Sequence, residues 1–184
     1  MEKIYYVVDI DCCMGCKSCQ TACNLEHGYA GGSGWPIEVF RMENLAKNGQ
    51  ATCDFIPVLC LHCETPDCVS ACPEDALSKN EEGLVLVEES LCTACGKCVA
   101  ACNYGAIYLR ECGDGKKKAT KCNLCGARRV RGFPPSCGHH CLGQVFRTCR
   151  ESEKEQLLAN YRYSWSRGQL VYVSNILSEI GKAL

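Results

Sequence analysis

Short apolar segments dominate the hydrophobic pattern of the first 150 residues. Ile4 to Ile10 (IYYVVDI) is rich in β-branched and aromatic residues, which predicts a strand. Ile37 to Met42 and Thr52 to Val58 predict the two strands of a hairpin, and Leu84 to Val87 predicts a further short strand. The pattern therefore indicates a fold of short strands joined by polar, cysteine-rich connections.

The pattern changes beyond residue 150. Glu151 to Tyr161 is rich in Glu, Lys, Gln, Leu and Ala, which favours a helix. Leu170 to Leu184 has apolar residues at helical spacing, at Val173, Ile176, Leu177 and Ile180. We therefore expect residues 151–184 to form a C-terminal helical extension that packs on the core of the chain.

Cysteine is the residue type that decides the chemistry, because 20 of the 184 residues are cysteines. Sixteen of them fall into four runs. The first and third runs are spaced C-x2-C-x2-C-x3-C, the second C-x2-C-x4-C-x3-C and the fourth C-x2-C-x11-C-x3-C. In chain order the runs are Cys13, Cys16, Cys19, Cys23; Cys60, Cys63, Cys68, Cys72; Cys92, Cys95, Cys98, Cys102; and Cys122, Cys125, Cys137, Cys141.

The spacing C-x2-C-x2-C-x3-C is that of bacterial ferredoxins, in which the fourth cysteine of each run binds the cluster of the other run. Three closely spaced thiolates can surround one corner of an iron–sulfur cube, while the fourth points to a neighbouring cube. The two central runs, from Cys60 to Cys102, therefore predict a two-cluster unit. The stretch after each fourth cysteine also repeats, since residues 73–77 parallel residues 103–107 with a period of about 30 residues.

Two other uses of cysteine compete with clusters. A cysteine-rich chain can be a secreted disulfide scaffold, but the sequence shows no signal peptide and its cysteines cluster in similarly spaced runs. Paired C-x-x-C motifs also build zinc ribbons, although a third cysteine after only two residues fits a cluster better.

Charge and motifs narrow the function. The net charge of −1 gives no electrostatic reason to expect nucleic acid. No apolar run approaches the ~18 residues of a membrane span, and no signal peptide or twin-arginine pair is visible. The sequence contains no glycine-rich phosphate loop and no flavin or nicotinamide motif. We therefore expect a non-catalytic, cytoplasmic protein, while export in association with a signal-bearing partner stays open.

Four runs in this order resemble the iron–sulfur electron-transfer subunits of the molybdopterin oxidoreductases, over Ile4 to Cys141. That family includes the small subunits of dimethyl sulfoxide, polysulfide and tetrathionate reductases and of formate dehydrogenases. The layout is also similar to small subunits of tungsten aldehyde oxidoreductase and benzoyl-CoA reductase type complexes. The resemblance implies an α+β fold of two nested bacterial-ferredoxin-like units with a β-hairpin insert. The outer unit would comprise residues 1–52 with 108–150, and the inner unit residues 53–107.

The resemblance also implies four [4Fe–4S] clusters with crossed ligands. The four ligand sets would be Cys13, Cys16, Cys19 with Cys141; Cys122, Cys125, Cys137 with Cys23; Cys60, Cys63, Cys68 with Cys102; and Cys92, Cys95, Cys98 with Cys72. Some family members lack the second cysteine of the third run and hold a three-iron cluster. Cys95 is present in this sequence, so a fourth cube is expected.

The function that the resemblance implies is electron transfer. The chain would relay single electrons between a larger catalytic subunit, with a molybdenum- or tungsten-pterin cofactor, and an external carrier or a further electron-transfer subunit. A free, diffusible polyferredoxin is an alternative. An iron–sulfur redox sensor is another, but it predicts a DNA-binding segment that the sequence does not show.

Several residues fall outside the cluster pattern. In the family a proline usually follows the fourth cysteine of the later runs, but only Pro73 keeps it. His62, His139 and His140 lie inside runs and are candidates to donate hydrogen bonds to a cluster. The cysteines without a place in a run are Cys12, Cys53, Cys112 and Cys149, of which Cys12 and Cys149 are candidate replacement ligands.

A basic stretch flanks the last run. It is either a solvated face, or compensates cluster charge, or docks an acidic partner. Its members are Lys116, Lys117, Lys118, Lys121, Arg128, Arg129 and Arg131.

Overall fold

The computed structural model describes residues 2–29, 34–45, 49, 51–112 and 115–177. The strands in these ranges are β1 (Ile4–Asp9), β2 (Ile37–Leu45), β3 (Ala51–Leu59), β4 (Leu77–Lys79), β5 (Val85–Val87), β6 (Ile107–Glu111), β7 (Lys117–Lys121), β8 (Phe146–Arg150), β9 (Tyr163–Arg167) and β10 (Leu170–Ser174). The helices are α1 (Ser18–His27), α2 (Asp67–Ser70), α3 (Lys97–Ala100), α4 (Gly126–Val130), α5 (Ser136–His139) and α6 (Glu151–Leu158), and Ile10–Cys12 form a 3-10 turn.

A four-stranded sheet joins the two ends of the described chain. Its strand order is β8-β1-β10-β9, with β1 parallel to β10 and antiparallel to β8. The central strand β10 is buried along its whole length, and five of the six residues of β1 are buried. A short, continuous apolar run of this kind is typical of a strand covered on both faces.

The C-terminal part corrects the prediction from the sequence. The predicted helix over Leu170 to Leu184 is wrong for Leu170–Ser174, which form β10, and only Glu151–Leu158 is helical in the predicted extension. Residues 178–184 lie outside the described part of the chain. The β-branched and aromatic residues of LVYVS favour a strand once β1 and β9 supply partners on both sides.

Three two-stranded antiparallel sheets surround the cysteine runs. They pair β2 with β3, β4 with β5, and β6 with β7. The strands expected at Ile37 to Met42 and Thr52 to Val58 lie inside β2 and β3, which are longer than expected and pair from Ile37 opposite Leu59 to Leu45 opposite Ala51. Thus each cysteine run begins or ends next to a short strand that anchors it.

The two faces of the four-stranded sheet have different roles, because side chains alternate along a strand. Tyr5 and Val7 of β1 pack with Val171 and Val173 against α6. Tyr6 and Val8, with Leu170 and Tyr172, face the other way, into a core that contains cysteines of the runs. None of the helices in the described ranges has the length and apolar content that a bilayer crossing requires.

Candidate functional site

All twenty cysteines lie in the described part of the chain, and each is a free thiol. Sixteen of them gather into four groups, each of which joins three cysteines of one run to the fourth cysteine of another. We name them site 1 (Cys13, Cys16, Cys19, Cys141), site 2 (Cys122, Cys125, Cys137, Cys23), site 3 (Cys60, Cys63, Cys68, Cys102) and site 4 (Cys92, Cys95, Cys98, Cys72).

Sites 1 and 4 are cavities, each lined by all four of its cysteines. Apolar residues complete the walls, including Val145 and Phe146 at site 1 and Leu77 and Leu109 at site 4. One cysteine of each site is exposed, namely Cys16 at site 1 and Cys95 at site 4. Each of these two cavities therefore has an apolar interior and one thiol at the surface.

Sites 2 and 3 are recognised by the effect of their thiols on one another. Burial raises the pKa of Cys23, and the nearby Cys122 and Cys125 raise it further. Burial also raises the pKa of Cys68 to about 11, and Cys60 and Cys102 of site 3 act in the same direction. The cysteines of each group are thus close enough for their charges to interact.

The helices explain why each run serves two sites. The third and fourth cysteines of every run are four residues apart, which places them on one face of a helix about 6 Å apart along its axis. Cys19 and Cys23 of α1 belong to sites 1 and 2, and Cys137 of α5 and the following Cys141 belong to sites 2 and 1. The helices α2 and α3 relate sites 3 and 4 in the same way and pack against each other.

Hydrogen-bond donors point at several of the sulfur atoms. A donor of this kind favours the thiolate over the thiol, and the thiolate is the form that binds iron. The backbone N–H donors are Ala76 to Cys72 Sγ (3.3 Å), Ala119 to Cys92 Sγ (3.3 Å), Ala106 to Cys102 Sγ (3.4 Å), Leu124 to Cys122 Sγ (3.4 Å) and Ser136 to Cys125 Sγ (3.5 Å).

The donor sets suit an iron–sulfur cube better than a single ion. Each site presents sulfur only, which is the ligand set of [4Fe–4S] clusters. Among the described residues, no three His, Cys, Asp or Glu side chains converge closely enough to share one metal ion. In a cube each thiolate binds a different iron, so its ligands are spread around a cavity. Burial raises the pKa of Cys19 and of Cys137 to about 12, so binding of iron at these positions must displace protons.

Two side chains that the sequence did not single out touch site 2. The hydroxyl of Tyr6 lies 3.1 Å from Cys137 Sγ in the buried core. The Nε2 atom of His27 lies 3.5 Å from Cys125 Sγ, and burial lowers the pKa of His27. Neither residue has a sequence signal, because β1 and the end of α1 meet α4 and α5 only in the folded chain.

The histidines inside the runs behave differently from one another. His139 and His140 are exposed; their rings contact each other, and His140 Nδ1 lies 3.0 Å from the carbonyl oxygen of Ser136. His62 is completely buried, and its Nδ1 accepts a hydrogen bond from the backbone N–H of Val85 at 3.0 Å. The proton of the neutral ring is then on Nε2, for which the described residues offer no acceptor.

The four cysteines outside the runs lie in different surroundings. Cys12 is exposed and lines the cavity of site 1. Cys149 is buried with Tyr5 and Val7 on the face of the sheet that packs against α6, away from the sites. Cys53 is exposed and accepts a hydrogen bond from Arg41 Nε at 3.3 Å, and Cys112 is partly exposed. Only Cys12 of these four therefore lines one of the site cavities.

The basic stretch divides into surface and interior residues. Lys117 is exposed and lies 4.0 Å from Glu111, whereas Arg128 and Arg129 form ion pairs with Glu26 (2.8 Å) and Glu82 (2.9 Å). Lys121 is buried.

Comparison with known proteins identifies similar chains. A family model described as "4Fe-4S dicluster domain" matches residues 51–151, and a second model with the same description matches residues 12–76. Two dicluster domains imply four [4Fe–4S] clusters. Both matches are continuous stretches, whereas each of the four sites draws its cysteines from two separate runs.

Three relatives illustrate the similarity. A tetrathionate reductase subunit of Archaeoglobus fulgidus is 41% identical over 135 residues, which are 72% of this chain and 60% of the relative. The tetrathionate reductase subunit of the same name from Salmonella typhimurium is 31% identical over 138 residues, 74% of this chain and 54% of the relative. The thiosulfate reductase electron transfer subunit of Salmonella typhi is 34% identical over 144 residues, 78% of this chain and 73% of the relative. The chain thus spans just over half the length of the two tetrathionate reductase subunits.

Proposed function

We propose, on the premise that the chain belongs to the 4Fe–4S dicluster family of iron–sulfur electron-transfer subunits, that it relays single electrons for a separate catalytic subunit. The single observation that carries the proposal is the gathering of sixteen thiols into four groups of four. Two of these groups line cavities with apolar walls. When bound, [4Fe–4S] clusters accept and release one electron at a time.

The ligand assignment is part of the proposal. Each site binds one cluster through its four cysteines, so that every cluster has three ligands from one run and one from another. The outer unit, residues 1–52 with 108–150, then contains sites 1 and 2, and the inner unit, residues 53–107, contains sites 3 and 4. The boundary at residue 52 falls inside β3, so this strand belongs to both units.

The order of the sites follows from the thiols that connect them. Sites 1 and 2 share the helices α1 and α5, and sites 3 and 4 share the pair α2 and α3. Sites 2 and 3 meet where Cys60 lies close enough to raise the pKa of Cys122, beyond the larger effect of burial. This gives the order 1-2-3-4, with the exposed Cys16 and Cys95 at opposite ends. We propose that electrons enter at one end and leave at the other.

The chain positions, insulates and tunes these sites. Its thiolates hold each cluster at a fixed place, and apolar residues such as Phe146 and Leu109 exclude water from the cavities. Backbone N–H groups that point at the sulfur atoms stabilise the negative charge of a reduced cluster. No residue of this machinery acts on a substrate, so we assign the chain a non-catalytic role.

A larger subunit with a molybdenum- or tungsten-pterin cofactor is the partner that we propose at one end. The relatives support a reductase partner, because their names describe subunits of tetrathionate and thiosulfate reductases. An external carrier or a further electron-transfer subunit would occupy the other end.

Two measurements test the proposal. The chain purified without oxygen is expected to contain about sixteen irons with matching acid-labile sulfide, and to show EPR signals of reduced [4Fe–4S] clusters. Zinc or disulfide bonds in place of iron and sulfide would contradict it. The native protein is expected to co-purify with a molybdenum- or tungsten-containing subunit, whereas elution alone at the mass of the chain would favour the free polyferredoxin.

A further inference from the structure

Lys121 is a buried cation at the boundary between sites 2 and 3. It is the last residue of β7, and the residue is only 5% exposed. Its ammonium group donates hydrogen bonds to the carbonyl oxygen of Val85 and, at 2.8 Å, to that of Cys122. The two carbonyl oxygens hold the charge in place between β5 and the first cysteine of the last run.

A buried ammonium group needs negative charge nearby, because removing it from water costs several kcal/mol. Two carbonyl oxygens supply partial charges only. Within the described ranges, the neighbouring basic residues Lys117, Arg128 and Arg129 are paired with carboxylates, whereas no carboxylate lies within ion-pairing distance of Lys121. The compensating charge must come from another kind of group.

The thiols of two sites are the nearest candidates for that charge. Burial raises the pKa of Cys68 of site 3, and Lys121 acts on it in the opposite direction. Burial likewise raises the pKa of Cys122 of site 2, again with Lys121 opposing it. Lys121 therefore interacts with both sites at the place where the outer and inner units meet.

We propose that Lys121 is a positioning residue for charge: it supplies the positive charge that sites 2 and 3 share, and it raises the reduction potentials of the groups bound there. This inference rests on the proposed function, since it needs a cluster at each site. Reduction adds one negative charge to a cluster, and a fixed cation nearby stabilises the reduced form more than the oxidised form. Burial strengthens the effect, because water and salt screen it poorly in the interior.

A structural role is the competing explanation. The two hydrogen bonds tie β7 to β5 and to the loop that begins at Cys122, and this tie alone would explain a buried lysine. The two explanations differ in what a neutral side chain does. If the tie is the whole role, a neutral side chain that also hydrogen-bonds leaves the potentials unchanged.

The test compares charge with hydrogen bonding in the complete, cluster-loaded chain. Lys121→Gln keeps a donor and removes the charge, Lys121→Met removes both, and Lys121→Arg keeps both. Lys117→Met is the matched control, because Lys117 lies on the same strand but is exposed. Iron content and EPR-monitored redox titration are measured for each variant.

We expect two of the four midpoint potentials to fall in Lys121→Gln and Lys121→Met, and none to fall in Lys117→Met or Lys121→Arg. One of the two must be the potential that also moves in Tyr6→Phe, because Tyr6 touches site 2. Iron loss in both neutral variants that Lys121→Arg prevents would also support a requirement for charge.

Other outcomes overturn the inference. Unchanged potentials in Lys121→Gln with full iron content would show that the charge is unimportant while leaving the relay intact. Iron loss in all three Lys121 variants, or equal shifts in Lys121→Gln and Lys121→Arg, would indicate the structural tie. A wild-type chain without four clusters would instead overturn the proposed function, which separates the two failures.

Discussion

At the scale of single residues, the hydroxyl group of Tyr6 is the most direct contact between the sheet and a site. It lies 3.1 Å from Cys137 Sγ, and the Tyr6 ring stacks on Phe146. When Cys137 binds iron its sulfur has no proton, so the hydroxyl must be the donor. Such a hydrogen bond strengthens as negative charge accumulates on the sulfur.

Replacement of Tyr6 by phenylalanine is therefore expected to lower one midpoint potential. The shift should be at most about 40 mV, which corresponds to the ~1 kcal/mol net value of one hydrogen bond for a one-electron couple. EPR-monitored redox titration measures it. Tyr172→Phe is the control, because Tyr172 is also buried in the sheet but donates to the carbonyl oxygen of Pro57 at 3.0 Å. Equal shifts in the two variants would rule out an effect through Cys137.

A second prediction at this scale separates a ligand from a core cysteine. Cys141 lines site 1, whereas Cys149 packs against apolar residues under α6. We expect Cys141→Ala to reduce the iron content by about four of about sixteen, and Cys149→Ala to leave it unchanged. Iron and sulfide analysis of anaerobically purified protein decides the matter. Full iron content in Cys141→Ala would remove this residue from the ligand set.

At the scale of elements, the turn between β9 and β10 connects the sheet to site 3. Gly168 has a φ of +58°, and a Cβ atom there would lie 2.3 Å from the carbonyl oxygens of both Leu61 and His62. The next residue, Gln169, donates its backbone N–H to the same oxygen of Leu61 at 3.0 Å. The turn can approach the loop between Cys60 and Cys63 this closely only because residue 168 has no side chain.

Gly168→Ala is expected to destabilise the protein and to loosen site 3. The positive φ costs an alanine about 1 kcal/mol, and the clash with backbone adds roughly 1–3 kcal/mol. Gly105→Ala is the matched control, because Gly105 has a φ of +60° and open space around it, so only the first cost applies. Anaerobic chemical unfolding with iron analysis gives both readouts. Equal destabilisation of the two variants would contradict the close contact.

At the scale of the whole molecule, the apolar cores depend on the sites to different degrees. The largest core cluster contains Cys19, Cys23 and Cys137, and the inner one contains Cys98. The cluster formed by Tyr5, Val7, Val171 and Val173 under α6 contains no cysteine of the four sites. Bound metal therefore contributes to the stability of most of the core, as in other small metallo-domains.

Removal of iron by a chelator is expected to open the molecule unevenly. Backbone amides in the site loops should lose protection against hydrogen exchange first, and those of β1 and β10 should keep it longest, because their shared core needs no metal. Native-state hydrogen exchange before and after iron removal measures the order. Simultaneous loss of protection in both regions would show that the sheet also requires the clusters.

The parts of the molecule that local spacing controls could be predicted from the sequence. Three cysteines of each site lie in one run, and the fourth follows the third of its own run by one helical turn, so spacing alone indicates which thiols can share a site. The four groups in the structure have the composition that the resemblance implied, and their role as ligands stays a prediction. Strand β1 was also predictable, because Ile4–Asp9 is uniformly β-branched and aromatic up to its last residue.

The tertiary structure decided what depends on contacts between distant parts of the chain. Helical spacing at Val173, Ile176 and Leu177 suggested a helix, yet the parallel pairing with β1 makes Leu170–Ser174 a central strand. Likewise, no spacing rule distinguishes the buried Lys121 from the exposed Lys117 four residues earlier. The physical reason is the same in both cases. The sequence determined which thiols can form a site, because those distances are short along the backbone, whereas burial and electrostatic environment arise only when separate elements pack together.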